Sequence, residues 1–310
     1  NHNGGINGGG YDYLNIRNNT IRKAKMAINI LASLNNRNRN ITIENNMIGS
    51  ADTNYYIQRY GIAVNQTDNT LIKNNEIVGP SQGTYFGNMF GIIYYDNCSN
   101  TKIHSNNIHD WNTLALGSYG IKCSNDNDNT PTEIYNNLIY NIRAVGMNAG
   151  VSNNNAYGIF VRWGGNIRIW HNTIQLSGPY LFGTDYGSTS SACLCFYEQS
   201  TNNFDIRNNI FRNSMTNSSY PPNGTGALGR AYGIQFTGDV SKFSVLDHND
   251  YFIDGFQGTI AQHWITGVGP AAELETMAQW QAYSGKEEHG LNVNPEFISA
   301  NNPIDLHPQN

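Results

Sequence analysis

Lys122 lies within one copy of a short pattern, "GIKC" at Gly120, Arg162 directly follows the next, "GIFV" at Gly158, and three acids, Asp126, Glu198 and Asp239, align at the turn after such copies. These five residues could do chemistry. A Lys or Arg acting as strong base can remove the proton beside a uronate carboxylate, provided that a cation stabilises the carboxylate. The acids stand singly at loop edges, however, and no paired-carboxylate signature repeats. Aromatic residues form a second candidate set. Tyr135 and Trp170 occupy equivalent outward positions one repeat apart and, with Tyr95, Phe160 and Trp111, could lay rings against the apolar faces of sugars.

Both sets need elements that hold them in place. The pattern I-x-x-N-x-I recurs at Ile16/Asn19, Ile43/Asn46, Ile72/Asn75, Ile103/Asn106, Ile134/Asn137, Ile169/Asn172 and Ile206/Asn209, with a degenerate copy at Leu246/Asn249. Successive asparagines lie 27, 29, 31, 31, 35, 37 and 40 residues apart, so a unit kept in register lengthens toward the C-terminus. Periods of this size mean stacked repeats. Each copy follows a small residue with alternating apolar positions, as in "GIAV" at Gly61, "GIIY" at Gly91, "ACLCF" at Ala192 and "GIQF" at Gly233. Period-two alternation predicts short strands, and units rich in Asn, Gly, Ile and Tyr oppose a helical repeat. In a coil of strands the pattern isoleucines stack at about 4.8 Å. The asparagine at each bend tolerates left-handed angles, and its amide can bond to the next amide along the axis. Asn19, Asn46, Asn75, Asn106, Asn137, Asn172 and Asn209 are thereby predicted to form an internal ladder.

With this repeat, from Gly5 to about Tyr251, the chain resembles the right-handed parallel β-helix proteins, whose fold serves pectate-lyase-like enzymes and many noncatalytic surface proteins. The resemblance implies a single-stranded all-β solenoid of about eight rungs over residues 1–255. Residues 256–310 are expected to close it with a short helix and an extended tail. "PAAELETMAQWQAYSG" reads as that helix, with Pro270 near its start, Gly285 just past its end, and Leu274, Met277 and Ala278 as its apolar stripe. The stretches Asn294 to Phe297 and Asp305 to His307 resemble the closing segment of large secreted bacterial β-helix proteins.

Composition narrows the partners. The 310 residues carry a net charge of -5 with dispersed Lys and Arg, which gives no basic stripe for nucleic acid. No apolar run is long enough to span a bilayer. The opening "NHNGGINGGG" begins within a rung, as an excised portion of a larger polypeptide would. Cys123, Cys193 and Cys195 are expected at core-facing positions, whereas Cys98 leaves a bridge to a neighbouring rung open. No cofactor or metal is expected. Calcium stays open at "NGGGYDYL" from Asn7 and "NDNDN" from Asn125, although the first lacks neighbouring nonapeptides and the second has Pro131 where a calcium loop needs Gly. The outer face of the glycine-led strands is expected to carry Ile93, Tyr95, Lys122, Phe160, Arg162, Leu194 and Phe196, too apolar a set to stand bare.

The expectation for function is a noncatalytic extracellular or cell-surface module, a stalk or adhesin with glycan contact. The alternative is a polysaccharide lyase or glycoside hydrolase acting through the Lys122 and Arg162 face.

Overall fold

The computed structural model describes residues 6–7, 10–52, 54–80, 87–112, 116–125, 130–146, 154–180, 190–197, 203–216, 230–265, 267–299 and 305–308. The chain is a parallel β-helix whose rungs each contribute one strand to each of three long sheets. Asn88–Tyr95 lies in the first sheet, Lys102–His104 in the second and Asn107–His109 in the third. The isoleucine ladders are in register: Ile43, Ile72, Ile103, Ile134, Ile169 and Ile206 pair in sequence through the second sheet. Ile48, Ile77, Ile108, Ile139 and Ile174 do so through the third. All eleven are fully buried.

The asparagine pair in "IRNNTI", "IENNMI" and "IKNNEI" divides its labour. The left-handed conformation belongs to the first position, at Asn18, Asn45, Asn74, Ser105, Asn136, His171, Asn208 and His248, not to the ladder asparagine where it was expected. That residue turns the chain from the second sheet into the third. The following asparagine is then free to aim its amide along the axis. Each ladder member donates its backbone N–H and its Nδ2 to the Oδ1 of the next, as Asn106 does to Asn137 at 3.1 and 3.0 Å. The chain of bonds begins at exposed Asn19 and continues past Asn209 to Asn249. Since the bend between the second and third sheets is this fixed two-residue turn, extra length does not enter there.

The glycines that lead the first-sheet strands face inward against the third sheet. A Cβ on Gly91 would lie 2.4 Å from Ile108 Cγ2 and 2.6 Å from the Gly120 carbonyl, and Gly120 and Gly158 meet the same obstacle one and two rungs on. In the next rung Cys193, not Ala192, follows in this column, since Ile159 pairs with Leu194. The reading of "ACLCF" is therefore shifted by one. Leu194 and Phe196 point into the coil rather than outward, and Cys195 lies on the outer face beside Phe160. All four cysteines are free and buried, Cys98 lying 3.5 Å from the Thr67 hydroxyl.

Parallel pairing runs beyond residue 255 into Thr259–Ile265, on which Gly269–Leu274 folds antiparallel. Pro270 belongs to this edge strand, where its missing N–H is tolerated. The helix is shorter than expected, Met277–Ser284, with Thr276 and Gln279 forming a capping box and left-handed Gly285 ending it. Ala278 is exposed, and Trp280 is the buried anchor, packed 5.7 Å from Phe236. After the helix the chain crosses the open end of the coil. Glu287 N–H donates to the Leu246 carbonyl, and Leu291 bridges to Asp250 as one more strand would. The hairpin of Phe297–Ser299 and Asp305–Pro308 then lies on the third sheet, with Phe297 and Leu306 against Tyr140.

Candidate functional site

Extra chain length gathers beside the first sheet, and its outer face carries a buried aromatic cluster that includes Phe90, Tyr119, Tyr157, Phe160 and Tyr232. Lys122 projects into it. Strand alternation sends this side chain outward between Ile93 and Phe160, and its Nζ lies 5.2, 5.3 and 5.4 Å from the ring centres of Phe90, Tyr119 and Phe160. The side chain is only 7% exposed, and among the described residues no carboxylate or carbonyl pairs with its ammonium. Burial, followed by the positive charge of Arg162, pushes its pKa down to about 8. Three ring faces stabilise an ammonium, each by about 0.5–2 kcal/mol. They supply no hydrogen-bond acceptor to it, nor does any other described residue.

Arg162 stands on the same face, half-buried, its guanidinium 4.1 Å from the Trp163 ring and its backbone N–H bonded to the Cys123 carbonyl. Of the three expected acids, Asp239 alone lies among the described residues. Asp239 is exposed beyond the end of Ala231–Thr237, three rungs from Lys122, where it caps the turn Val240–Lys242 by accepting from Ser241 N–H at 2.7 Å. Asp126 and Glu198 lie outside the described residues, as does most of the "NDNDN" loop and part of "NGGGYDYL".

A second surface crosses the middle of the second sheet. One outward row runs Arg17, Glu44, Lys73, His104, Tyr135, Trp170, Arg207 and Asp247. The charges at its first end pair with one another, Glu44 reaching Arg17 at 2.8 Å and Lys73 at 3.0 Å, whereas Arg207 at the other end pairs with Asp205 at 2.7 Å. Its centre is aromatic. His104 stacks on Tyr135 at 4.6 Å and 11°, and Tyr135 meets Trp170 at 6.0 Å and 46°. All three are partly exposed, and the adjacent row holds Glu133 between Lys102 at 3.0 Å and Arg168 at 3.3 Å. Burial and the nearby Lys73 and Lys102 lower the His104 pKa, which favours its neutral imidazole.

No protein family, curated protein or solved structure matches the chain. The remaining aromatic candidates divide by exposure. Tyr95 is partly exposed, whereas Trp111 and Phe160 are fully buried, Trp111 inside the coil against Gly79, and neither presents a ring to solvent.

The sequence reading missed two polar groupings. On the third sheet His109, stacked on Tyr140 at 4.7 Å, has Nε2 2.6 Å from Glu76 and Nδ1 2.9 Å from Asp110. Desolvation opposes its charge, but the two carboxylates outweigh it and raise its pKa to about 9. At the end of the coil Asp247, His248 and His289 bring one carboxylate oxygen and two imidazole nitrogens within 4.8 Å of one another. His289 joins from 42 residues away, a proximity that no local spacing announces.

Proposed function

We propose that the chain is a noncatalytic β-helix module of the extracellular or cell-surface type, a stalk or adhesin that holds a glycan against His104, Tyr135 and Trp170. The observation that carries this reading is the aromatic strip: three neighbouring rings, partly exposed, at the centre of a row whose other members are charged. Sugars stack on such rings through their C–H faces, and the neighbouring Arg168 and Glu133 offer hydrogen bonds to hydroxyls. The regularity of the ladder supports the stalk, because a solenoid of in-register rungs has no hinge. A panel of neutral and uronic-acid polysaccharides tests the reading by affinity electrophoresis. Retardation by one of them, weakened in Trp170→Ala and Tyr135→Ala, is expected; equal retardation of both variants and the parent would reject the strip.

A second reading, a polysaccharide lyase or hydrolase of the pectate-lyase-like kind, is favoured by Lys122. A lysine with its pKa near 8 is poised to accept a proton, and an ammonium with no acceptor among the described residues suits an acidic sugar. On this reading uronic-acid polymers yield unsaturated products, and Lys122→Ala abolishes them.

A further inference from the structure

The geometry points to a transition-metal site at the C-terminal end of the coil, formed by Asp247, His248 and His289 and suited to Zn2+ or another divalent ion that prefers imidazole. Asp247 ends the last strand of the second sheet, His248 is the left-handed residue of the last bend, and His289 comes from the segment that crosses the open end. Both histidines turn the same atom to the same place. Nδ1 of His248 lies 3.2 Å from Asp247 Oδ2, and Nδ1 of His289 lies 2.9 Å from it. Ligands about 2.0–2.1 Å from a tetrahedral zinc stand about 3.3 Å apart, so each imidazole nitrogen already has nearly the separation from the carboxylate oxygen that one ion requires, and one ligand atom from each of the three residues falls within 4.8 Å of the others.

The carboxylate is held for the purpose. Its other oxygen, Oδ1, accepts the backbone N–H of His248 at 2.9 Å and of His289 at 2.8 Å, which fixes the group and leaves Oδ2 facing the rings. Such outer hydrogen bonds orient a metal-binding carboxylate. The imidazoles stack at 4.6 Å and 19° and are 54% and 58% exposed, so they can tilt onto an ion and a fourth position stays open to water. Two imidazoles and one carboxylate suit zinc, copper or nickel rather than calcium or magnesium. Since the ligands come from the last rung and from the segment that covers it, the ion would fasten the closing segment to the coil.

Untagged protein stripped with chelator and titrated with zinc chloride at neutral pH tests the site by calorimetry and thermal melting. One zinc per chain is expected, with a rise in melting temperature that magnesium and calcium do not produce. His248→Asn places at this bend the residue that five of the other seven copies carry there, so it spares the turn while removing a ligand. It and His289→Ala should each weaken zinc binding by at least about tenfold. His171→Asn, an exposed histidine at an equivalent bend, should leave it unchanged. Absence of zinc binding in the parent, or binding that survives both ligand substitutions, would overturn the assignment.

Discussion

Glu287 replaces the missing ninth asparagine. At the last rung Asn249 Nδ2 donates to Glu287 Oε1 at 2.8 Å, and the Tyr251 hydroxyl donates to the same oxygen at 2.6 Å. The backbone N–H of Asn249 reaches Oε2 at 3.4 Å. The side chain thus ends the chain of amide bonds with an acceptor, and it does so at 0% exposure. Burial raises its pKa from 4.5 to about 7 against the opposing effect of those donors. A carboxyl that holds its proton more tightly when folded stabilises the protein fully below the unfolded value, near pH 4.5, and that stability is lost as pH rises through about 7. The shift of about 2.5 units corresponds to about 3 kcal/mol. Glu287→Gln keeps an acceptor for Asn249 and Tyr251 and carries no charge. Its stability relative to the parent should therefore rise by about 3 kcal/mol between pH 4.5 and pH 8. Glu287→Ala removes the acceptor that the Tyr251 hydroxyl and the side-chain and backbone N–H groups of Asn249 share, and should cost about 1–3 kcal/mol for each donor left unsatisfied at any pH. Urea midpoints of the three chains across this pH range provide the measurement. A constant difference between Glu287→Gln and the parent would refute the account of a buried, titrating end group.

Three other substitutions test separate parts of the account. His109 has a folded pKa of about 9 against 6.5, so its contribution is present below pH 6.5 and is lost as pH rises through 9; it amounts to at most about 3 kcal/mol, less for the screening of partly exposed Glu76 and Asp110, and His109→Gln should flatten that part of the stability curve in urea titrations. Asn74→Gly should change the melting temperature little, because glycine adopts the left-handed bend, whereas Asn74→Val should cost about 1–2 kcal/mol; Asn75→Ala, which removes two amide donors and an acceptor from a buried site, should cost more than either. Lys122→Met removes an ammonium whose depressed pKa marks a penalty that is present below pH 8 and relieved as pH rises toward 10.5, so this variant should melt above the parent at neutral pH by calorimetry; a lower melting temperature would mean that the three rings outweigh the burial of the charge.

The architecture was legible because one residue type had one task at each repeat position. Isoleucines at fixed spacing announced the ladders, and Asn75 or Asn137 could be assigned from the pattern alone. The first asparagine of the pair was harder to read, because Ser105 and His171 also occupy the left-handed bend and hide its common conformation. "ACLCF" was misread by one residue because Ala192 resembles a leading glycine, whereas a thiol, Cys193, follows in the glycine column. Pro270 resembled a helix start and proved to lie in an edge strand, since the strand Thr259–Ile265 offered it a partner. Lys122 was recognised as outward-facing, but its aromatic cage joins three rungs, because Phe90 and Phe160 lie 32 and 38 positions from it in sequence. Glu287 and His289 gave no signal at all. They sit in "KEEHG", outside any repeat, and gain meaning only where that segment crosses the end of the coil.

The most direct test of the proposed function follows polysaccharide binding and product formation in one experiment, with the parent chain, Trp170→Ala and Lys122→Ala each incubated with the same panel. The account predicts that a glycan retards the parent and Lys122→Ala alike, that Trp170→Ala loses this retardation, and that no unsaturated product or new reducing end accumulates. Turnover by the parent that disappears in Lys122→Ala while Trp170→Ala stays active would contradict it.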